Sequence, residues 1–420
     1  MPATPQTEIT CPFCGLLCDD LTVELDATAL KVTANGCPLA RAGFELADGA
    51  DPAPRVAGKP ANLAAAAAAA ARLLAASRRP LLGGLATDVA GIRAATRLAS
   101  RCGGVLDHMN SAAGIRNTLV LQDGGWITTT LSEVRNRADL LIVAGGDVES
   151  RFPRLFERTI AATDTLFDEQ RRCEVVFLGK GPAAPGSGPK PEVIAADVTR
   201  LAEGFGLLRM LLAGRPVRTD AAAGIALPVW QQLADRMKAA RYGVVVWAAA
   251  DFDFPHAELT VQALVELVKD LNQHTRFAGL PLGGSDGDLT ADAVSLWQTG
   301  FGMRTGFGQG IPEHDSYHFS ASRLLETGET DALLWVSSFQ VGRTPPATAI
   351  PTIVLGRAGM RFEREPAVFI PVGTPGVDHP GHLFRADRVV ALPLKRVRQR
   401  SLPSVAEALV AIEAALPAPA

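Results

Sequence analysis

Four cysteines carry the first chemistry legible in this sequence. The stretch "TCPFCGLLCDD" at 10–20 holds Cys11, Cys14 and Cys18, and "NGCPLA" adds Cys37, giving the spacing C-x2-C-x3-C-x18-C. Thiolates are soft donors, and four of them satisfy either a tetrahedral zinc ion or a cubane iron–sulfur cluster. Structural zinc usually pairs two separated C-x2-C knuckles, whereas three crowded cysteines with a remote fourth suit three corners of one cubane. The pattern favours a 4Fe–4S cluster over zinc, with empty, buried thiols as the remaining alternative. Cys102 and Cys173 stand alone beside basic residues and read as ordinary core or edge cysteines.

Other chemistry is weaker. His314 and His318 in "HDSYH" are four apart, as a helical zinc site requires, but the glutamate of H-E-x-x-H is missing and the preceding "GIPEHD" is loop-like. In "DHPGH", Pro380 and Gly381 break any helix between His379 and His382, which read as loop residues. The carboxylate pairs Asp19/Asp20, Asp251/Asp253 and Asp286/Asp288 are flanked by turn residues and suggest solvated loops or helix caps. No G-x-S-x-G elbow is present.

Those groups need elements to hold them. Residues 1 to about 55 read as a small module in which "LTVELD" and "LKVTANG" alternate like two antiparallel strands. The Pro-rich "DGADPAPRVAGKP" then separates the module from the body. Beyond it, apolar runs alternate with helical stretches: "PLLGGLATD", a helix to about 100, "ADLLIVAGGD", a helix through "FPRLFERTIAATDTLF", and "EVVFLGKGP". The alternation resumes with helices near 197–213 and 226–241, "YGVVVWAAADFD", a helix over 256–272, and "RFAGLPLGG", "DALLWVSSFQ", "PTIVLGRAG" and "AVFIPVGTPG". This is the βαβ rhythm of a parallel sheet. "GPAAPGSGPKPE" at 181–192 reads as a surface excursion. The chain accordingly divides into a four-cysteine module at 1–55, an α/β lobe at 56–200, a second lobe at 201–330 and a segment at 331–420 that completes a cleft.

Several runs end in Gly or small polar residues: Gly83-Gly84, Gly145-Gly146, Gly179 to Gly181, Ser337-Ser338 and Gly356-Arg357. Carboxyl ends of strands line the ligand crevice of open α/β sheets, and helix N-termini there attract phosphate. Glycine after a strand also serves simply as a tight turn, and neither G-x-G-x-x-G nor a Walker A motif appears.

Bulk properties exclude several classes. With 41 basic and 44 acidic residues the net charge is −3, so there is no basic footprint for nucleic acid. The first ten residues, "MPATPQTEIT", lack the charged and apolar regions of a secretion signal, which predicts a cytoplasmic setting in which six cysteines do not form a disulfide framework. The longest apolar run, "LAAAAAAAARLLAA", carries Arg72 and falls short of the ~20 apolar residues of a membrane span. It reads as a buried or subunit-facing helix. An apolar content of 47% permits large subunit interfaces.

The string "CPFCGLLCDD…GCPLA" resembles the N-terminal module of molybdenum- and tungsten-pterin oxidoreductases, specifically the B subunit of formylmethanofuran dehydrogenase. "LQDGGWITTTLSEVRNRADLLIVAGGDVESRFPR" is similar to the stretch after that subunit's metal-binding position, "LWQTGF" recurs at 296–301, and "GVDHPGHLFRADRV" at 376–389 resembles its closing motif. The resemblance covers most of the chain. It implies a multi-lobed α/β fold with parallel-sheet domains of the bis-pterin oxidoreductase type and a small N-terminal cysteine-bearing module.

In those dehydrogenases a Cys or selenocysteine shortly before the Leu-Gln pair ligates the metal, and a His follows it. Matching Leu121 and Gln122 places Ala113 at the ligand position and Gly114 at the His position. A methyl group donates no electron pair, so the resemblance implies that the Mo/W-pterin centre is absent. Met109 is a poor substitute, because a thioether prefers soft, low-valent metals. His108 lies beside the altered position.

One branch of the family fits this loss: the formyltransferase/hydrolase complexes, in which the B subunit works in a non-redox assembly. Such a complex moves a formyl group from formyl-tetrahydromethanopterin to methanofuran and releases formate. The resemblance then implies a structural subunit whose partners are a formyltransferase subunit, an amidohydrolase-type zinc hydrolase subunit and a further subunit, with a methanofuran-like carrier as a candidate ligand. Two alternatives stand beside it: a redox-active dehydrogenase subunit that holds Mo or W without a side-chain ligand, and an unrelated zinc-bearing interaction module.

Overall fold

The computed structural model describes residues 5–27, 29–46, 52–167, 172–183 and 190–418. It is a mixed α/β protein with two compact units, one built from 1–111 together with 284–420 and the other from 112–283.

In the first unit, Gln6–Ile9, Leu21–Asp26 and Ala29–Ala34 form an antiparallel sheet followed by the helix Pro38–Phe44. The two alternating segments pair as expected, from Thr22↔Ala34 to Asp26↔Ala29, and Gln6–Ile9 adds a strand that alternation alone did not reveal.

The unit's main sheet, nine-stranded among the described residues, runs Glu313–His314, Thr305–Gly306, Val105–Leu106, Pro80–Ala86, Ala332–Ser337, Thr352–Arg357, Val368–Val372, Arg55–Val56 and Lys59–Pro60. The five strands from Val105–Leu106 to Val368–Val372 are parallel, and the outer pairs are antiparallel. Parallel strands are covered on both faces, which is why "PLLGGLA", "ALLWVS" and "VFIPV" are buried at every position. Helices Leu63–Ala76, Val89–Cys102 and Val405–Ala414 pack together over this sheet through alanine and leucine. Their N-termini are capped by Asn62, Asp88 and Ser404.

The Pro-rich stretch is not a free linker. Its residues 55–60 form a hairpin on Val368–Val372, turned by Ala57 and Gly58, both at positive φ. Residues 47–51 lie outside the described set, as do 184–189 of the expected excursion.

The second unit has a five-stranded parallel sheet in the order Glu192–Ala195, Glu174–Gly179, Leu140–Gly145, Tyr242–Ala248, Arg276–Leu282. Growth reverses at Leu140–Gly145, the doubly wound arrangement whose crevice opens at that reversal. Helices Leu201–Leu212, Leu227–Ala239 and Ala257–Leu271 supply a core around Trp230, Trp247, Phe205 and Phe277. The long helix expected through "FPRLFERTIAATDTLF" is absent. Only the short turns Val148–Arg151 and Leu155–Arg158 form, separated at Pro153, which lacks the N–H that would join them into one helix.

The compact units do not follow the consecutive division at 55, 200 and 330. Parallel pairing of Pro80–Ala86 with Ala332–Ser337 closes the first unit around both chain ends, and 112–283 is one inserted segment. Among the described residues no helix is long and apolar enough to cross a membrane.

Candidate functional site

The cysteine loop joins Gln6–Ile9 to Leu21–Asp26. Its neck is closed by the Cys11 N–H donating to the Cys18 carbonyl at 2.9 Å, and its tip turns where the Leu17 N–H donates to the Cys14 carbonyl at 3.2 Å. Leu17 has a φ of 48°, a left-handed conformation offset by burying its side chain against Phe339, Leu383 and Leu394. Gly15 is crossed so closely by Gly284 that a Cβ at Gly284 would lie 2.5 Å from the Gly15 Cα. The Gly15 carbonyl accepts from the Ala386 N–H at 2.6 Å. Segments far apart in the chain therefore wall the loop.

Cys11, Cys14 and Cys18 are buried, and Cys37 is half-buried at the N-cap of Pro38–Phe44, where its Sγ accepts from the Ala40 N–H at 3.4 Å. Phe13 packs edge-on to Phe44 at 5.1 Å. The other end of that helix is anchored by buried Arg357, which donates to the carbonyls of Gly43 at 3.1 Å and Phe339 at 3.0 Å. Burial, then the facing Cys14, raises the Cys11 thiol well above its usual range. Burial, then Cys18, pushes Cys14 up to about 12. Burial and the neighbouring thiols therefore disfavour the thiolate forms of Cys11 and Cys14. Among the described residues no group of three or more His, Cys, Asp or Glu side chains is arranged to hold a metal ion.

Ala113 and Gly114 lie in the first turn of the helix Ser111–Gly124. Ala113 is half-buried and packs on the core of the second unit. Gly114 accepts from the Thr118 hydroxyl at 3.1 Å, and a Cβ there would meet nothing within 4 Å. Neither position offers a donor atom from a side chain.

His108, in the first unit, is buried and fully engaged. Its Nδ1 accepts the Asn110 N–H at 3.0 Å, so Nε2 carries the proton and donates to the Asp286 carbonyl at 3.2 Å. Burial lowers its pKa to about 4, which keeps the ring neutral. Neighbouring Asp107 is also buried: Oδ2 accepts the Ala321 N–H at 2.7 Å, while Oδ1 faces the Arg304 Nε at 3.7 Å. Burial raises its pKa to about 6 against the pull of Arg304.

The remaining sequence candidates do not gather into a site. His314 lies on a strand and stacks on Phe301 at 5.9 Å, while His318 Nδ1 pairs with Asp315 at 2.9 Å. His382 is exposed on Gly381–Phe384, and the His379 Nδ1 contacts the Pro380 carbonyl. Asp286 is not a solvated loop residue: it is buried, accepts from Gln340 at 2.7 Å and pairs with Arg343 at 3.0 Å. Asp251 and Asp253 pair with Arg151 at 2.8 Å and Arg116 at 2.8 Å. Sequence reading missed Asp107 and Arg304, and marked Arg357 only as the end of an apolar run. The local signal was a charged residue at a strand end: Asp107 directly after Val105–Leu106, Arg304 directly before Thr305–Gly306 and Arg357 closing Thr352–Arg357.

No family model matches the chain. The B subunit of the formyltransferase/hydrolase complex Fhc from Methylorubrum extorquens is 35% identical over 319 residues, covering 75% of this chain and 83% of that protein. The chain belongs to this family. A crystal structure of the formyltransferase/hydrolase complex (FhcABCD) from the same organism, in complex with methylofuran, matches with a TM-score of 0.74 and 32% identity, over 86% of this chain and 98% of the other. The family has tungsten-bearing kin as well. The B subunit of a tungsten-containing formylmethanofuran dehydrogenase from Methanocaldococcus jannaschii is 26% identical over 91% of each chain, and its Methanococcus maripaludis counterpart is 23% identical over the same share.

At the reversal strand of each unit the following helix start is already occupied. The Asp88 carboxylate accepts the Gly91 N–H at 3.0 Å, and Asp147 accepts those of Glu149 and Ser150 at 3.1 and 3.3 Å. These donors, which would cradle a phosphate, are satisfied by the chain's own negative charge.

Proposed function

We propose that the chain is the B subunit of a formyltransferase/hydrolase complex that transfers a formyl group from formyl-tetrahydromethanopterin to methanofuran and releases formate. Bond making and breaking fall to the partner chains: a formyltransferase subunit, an amidohydrolase-type zinc hydrolase subunit and a further subunit. This chain fixes their geometry and lines part of the path of a methanofuran-like carrier in the cytoplasm. The observation that carries the reading is the inert first turn at Ala113 and Gly114 in a chain of this family. The folding units are of the bis-pterin oxidoreductase type without the Mo/W-pterin, an absence supported by the carboxylates at both helix starts.

The four-cysteine module fits a soft metal group by donor type. Three crowded cysteines with a remote fourth suit the corners of one cubane better than the paired knuckles of a zinc site. A bound cluster would supply electron transfer, and in this assembly its use would be structural. Cys11, Cys14, Cys18 and Cys37 would lose their protons on loading.

Metal analysis of the purified complex, with pterin extraction, tests the whole reading. Formate release without stoichiometric Mo, W or pterin is the expected result, and either metal in quantity would return the redox dehydrogenase reading. Iron with labile sulfide supports the cluster, and zinc without sulfide overturns it.

A further inference from the structure

In the first unit, Cys11, Cys14 and Cys18 are only 3%, 5% and 5% exposed, so a metal group or a thiol reagent reaches them only when a wall of their loop moves. Three walls meet the loop, and they are anchored very differently. The Gly284 turn is fixed from several directions: Asp288 accepts the Gly284 N–H at 2.6 Å, Asn110 donates to the Ser285 carbonyl at 3.1 Å, and Gln340 donates to Asp286 at 2.7 Å. The helix Pro38–Phe44 is pinned by buried Arg357. The third wall is the hairpin that pairs Gly381–Phe384 with Ala391–Leu394, and it stands apart from the nine-stranded sheet.

A lone two-stranded hairpin is marginal in water, so packing must hold this one. One face does so: Leu383 and Leu394 are buried with Leu17, Ala86 and Phe339 in a small cluster separate from the main core of the unit. The other face, with His382, Ala391 and Pro393, meets solvent. Beyond that cluster the hairpin is tied by the Ala386 N–H on the Gly15 carbonyl, the Phe384 N–H on the Thr290 hydroxyl at 2.9 Å, the Trp297 ring edge-on to Phe384 at 5.2 Å, and the half-exposed pair of Arg388 with Asp292 at 3.0 Å. A segment held by few buried apolar contacts, with one side in water, opens at lower free energy than the core beneath it.

We propose that the hairpin 381–394 is the lid of the four-cysteine site: it lifts off Leu17 and Gly15 as one piece while the rest of the unit stays folded, and through that opening a soft metal group reaches the thiols. What enters rests on the reading of the module as a soft-metal site, whereas the opening is read on the thiols themselves. The full chain, freed of metal by chelator under reducing conditions and checked by metal analysis, is labelled with N-ethylmaleimide, and each cysteine is followed by mass spectrometry. In the wild type Cys11, Cys14 and Cys18 should label together at one rate. Leu383→Ala, which empties part of the cluster under the hairpin, should speed all three at least about tenfold. Trp297→Ala removes one edge-on ring contact at a largely exposed position and should speed them roughly two- to tenfold. In both variants Cys102, in the same unit, and buried Cys173, in the other, should keep their wild-type rates. Unchanged labelling of the three thiols in both variants overturns the lid. So does Cys102 accelerating by the same factor, because the whole unit would then be opening. Ferrous iron with sulfide, or zinc, offered to the unlabelled metal-free chain should be taken up faster by Leu383→Ala in the same proportion. No uptake by any of the three proteins ends the metal reading of the module, and the labelling rates decide the lid independently.

Discussion

Asp107 and His108 make opposite demands on acidity although they are adjacent in sequence. The buried, neutral His108 has a folded-state pKa of about 4 against about 6.5 when unfolded. The unfolded chain therefore binds the extra proton first, and the stability held above pH 6.5 is lost as pH falls toward 4. At about 1.36 kcal/mol per pH unit the loss approaches 3 kcal/mol. Asp107 runs the other way. Its folded pKa of about 6 lies above the unfolded 3.8, so its contribution is complete below pH 3.8 and is lost, again about 3 kcal/mol, as pH rises through 6. Between pH 4 and 6 the two contributions have opposite slopes and offset each other in the wild type. Denaturant titrations of His108→Gln and Asp107→Asn across pH 4 to 7 expose them. Relative to wild type, His108→Gln should gain stability on acidification, and Asp107→Asn should lose it. Parallel curves for all three proteins would refute the burial argument, as would a His108 ring that titrates near 6.5 by NMR.

Asp378 and Arg398 form a buried pair at 2.7 Å, with side chains 4% and 7% exposed, so Arg398→Met alone should cost ~3–5 kcal/mol by its denaturation midpoint. Replacing both members with apolar residues should recover much of that loss. A Cβ at Gly204 would sit 2.3 Å from the Trp230 ring, so Gly204→Ala should lose ~1–3 kcal/mol. Gly206→Ala, in the same helix with nothing within 4 Å, should gain roughly 0.5–1 kcal/mol in the same assay. Ala113→Cys should leave formate production by the assembled complex intact, and a severe loss would mean that this turn takes part in catalysis.

The strands were legible because parallel strands buried on both faces read as unbroken apolar runs, as in "LLIVAG" and "YGVVVWA". The helix Leu63–Ala76 announced itself through Asn62 and a run of alanine. What stayed hidden was any pairing without a local signal. No feature near Pro80–Ala86 says that its neighbour is Ala332–Ser337, and nothing in "RVAGKP" marks it as a sheet edge. The four cysteines could be named from spacing, but the walls of their loop, Gly284, Ala386 and the Arg357 anchor, come from remote parts of the chain. Asp286 misled because turn residues around a carboxylate usually mean solvent, whereas here Gln340 and Arg343 enclose it.

A continuous insert inside a discontinuous unit sets an order of events on the ribosome. Residues 112–283 emerge as one piece and can complete their sheet at once, while Pro80–Ala86 must wait for Ala332–Ser337. At ~5–20 residues per second that wait lasts on the order of 12–50 s. Throughout it, a wholly apolar strand and the loop bearing three thiols stand without their eventual covering, a window in which chaperones can shield the nascent chain and any soft metal must be delivered or withheld.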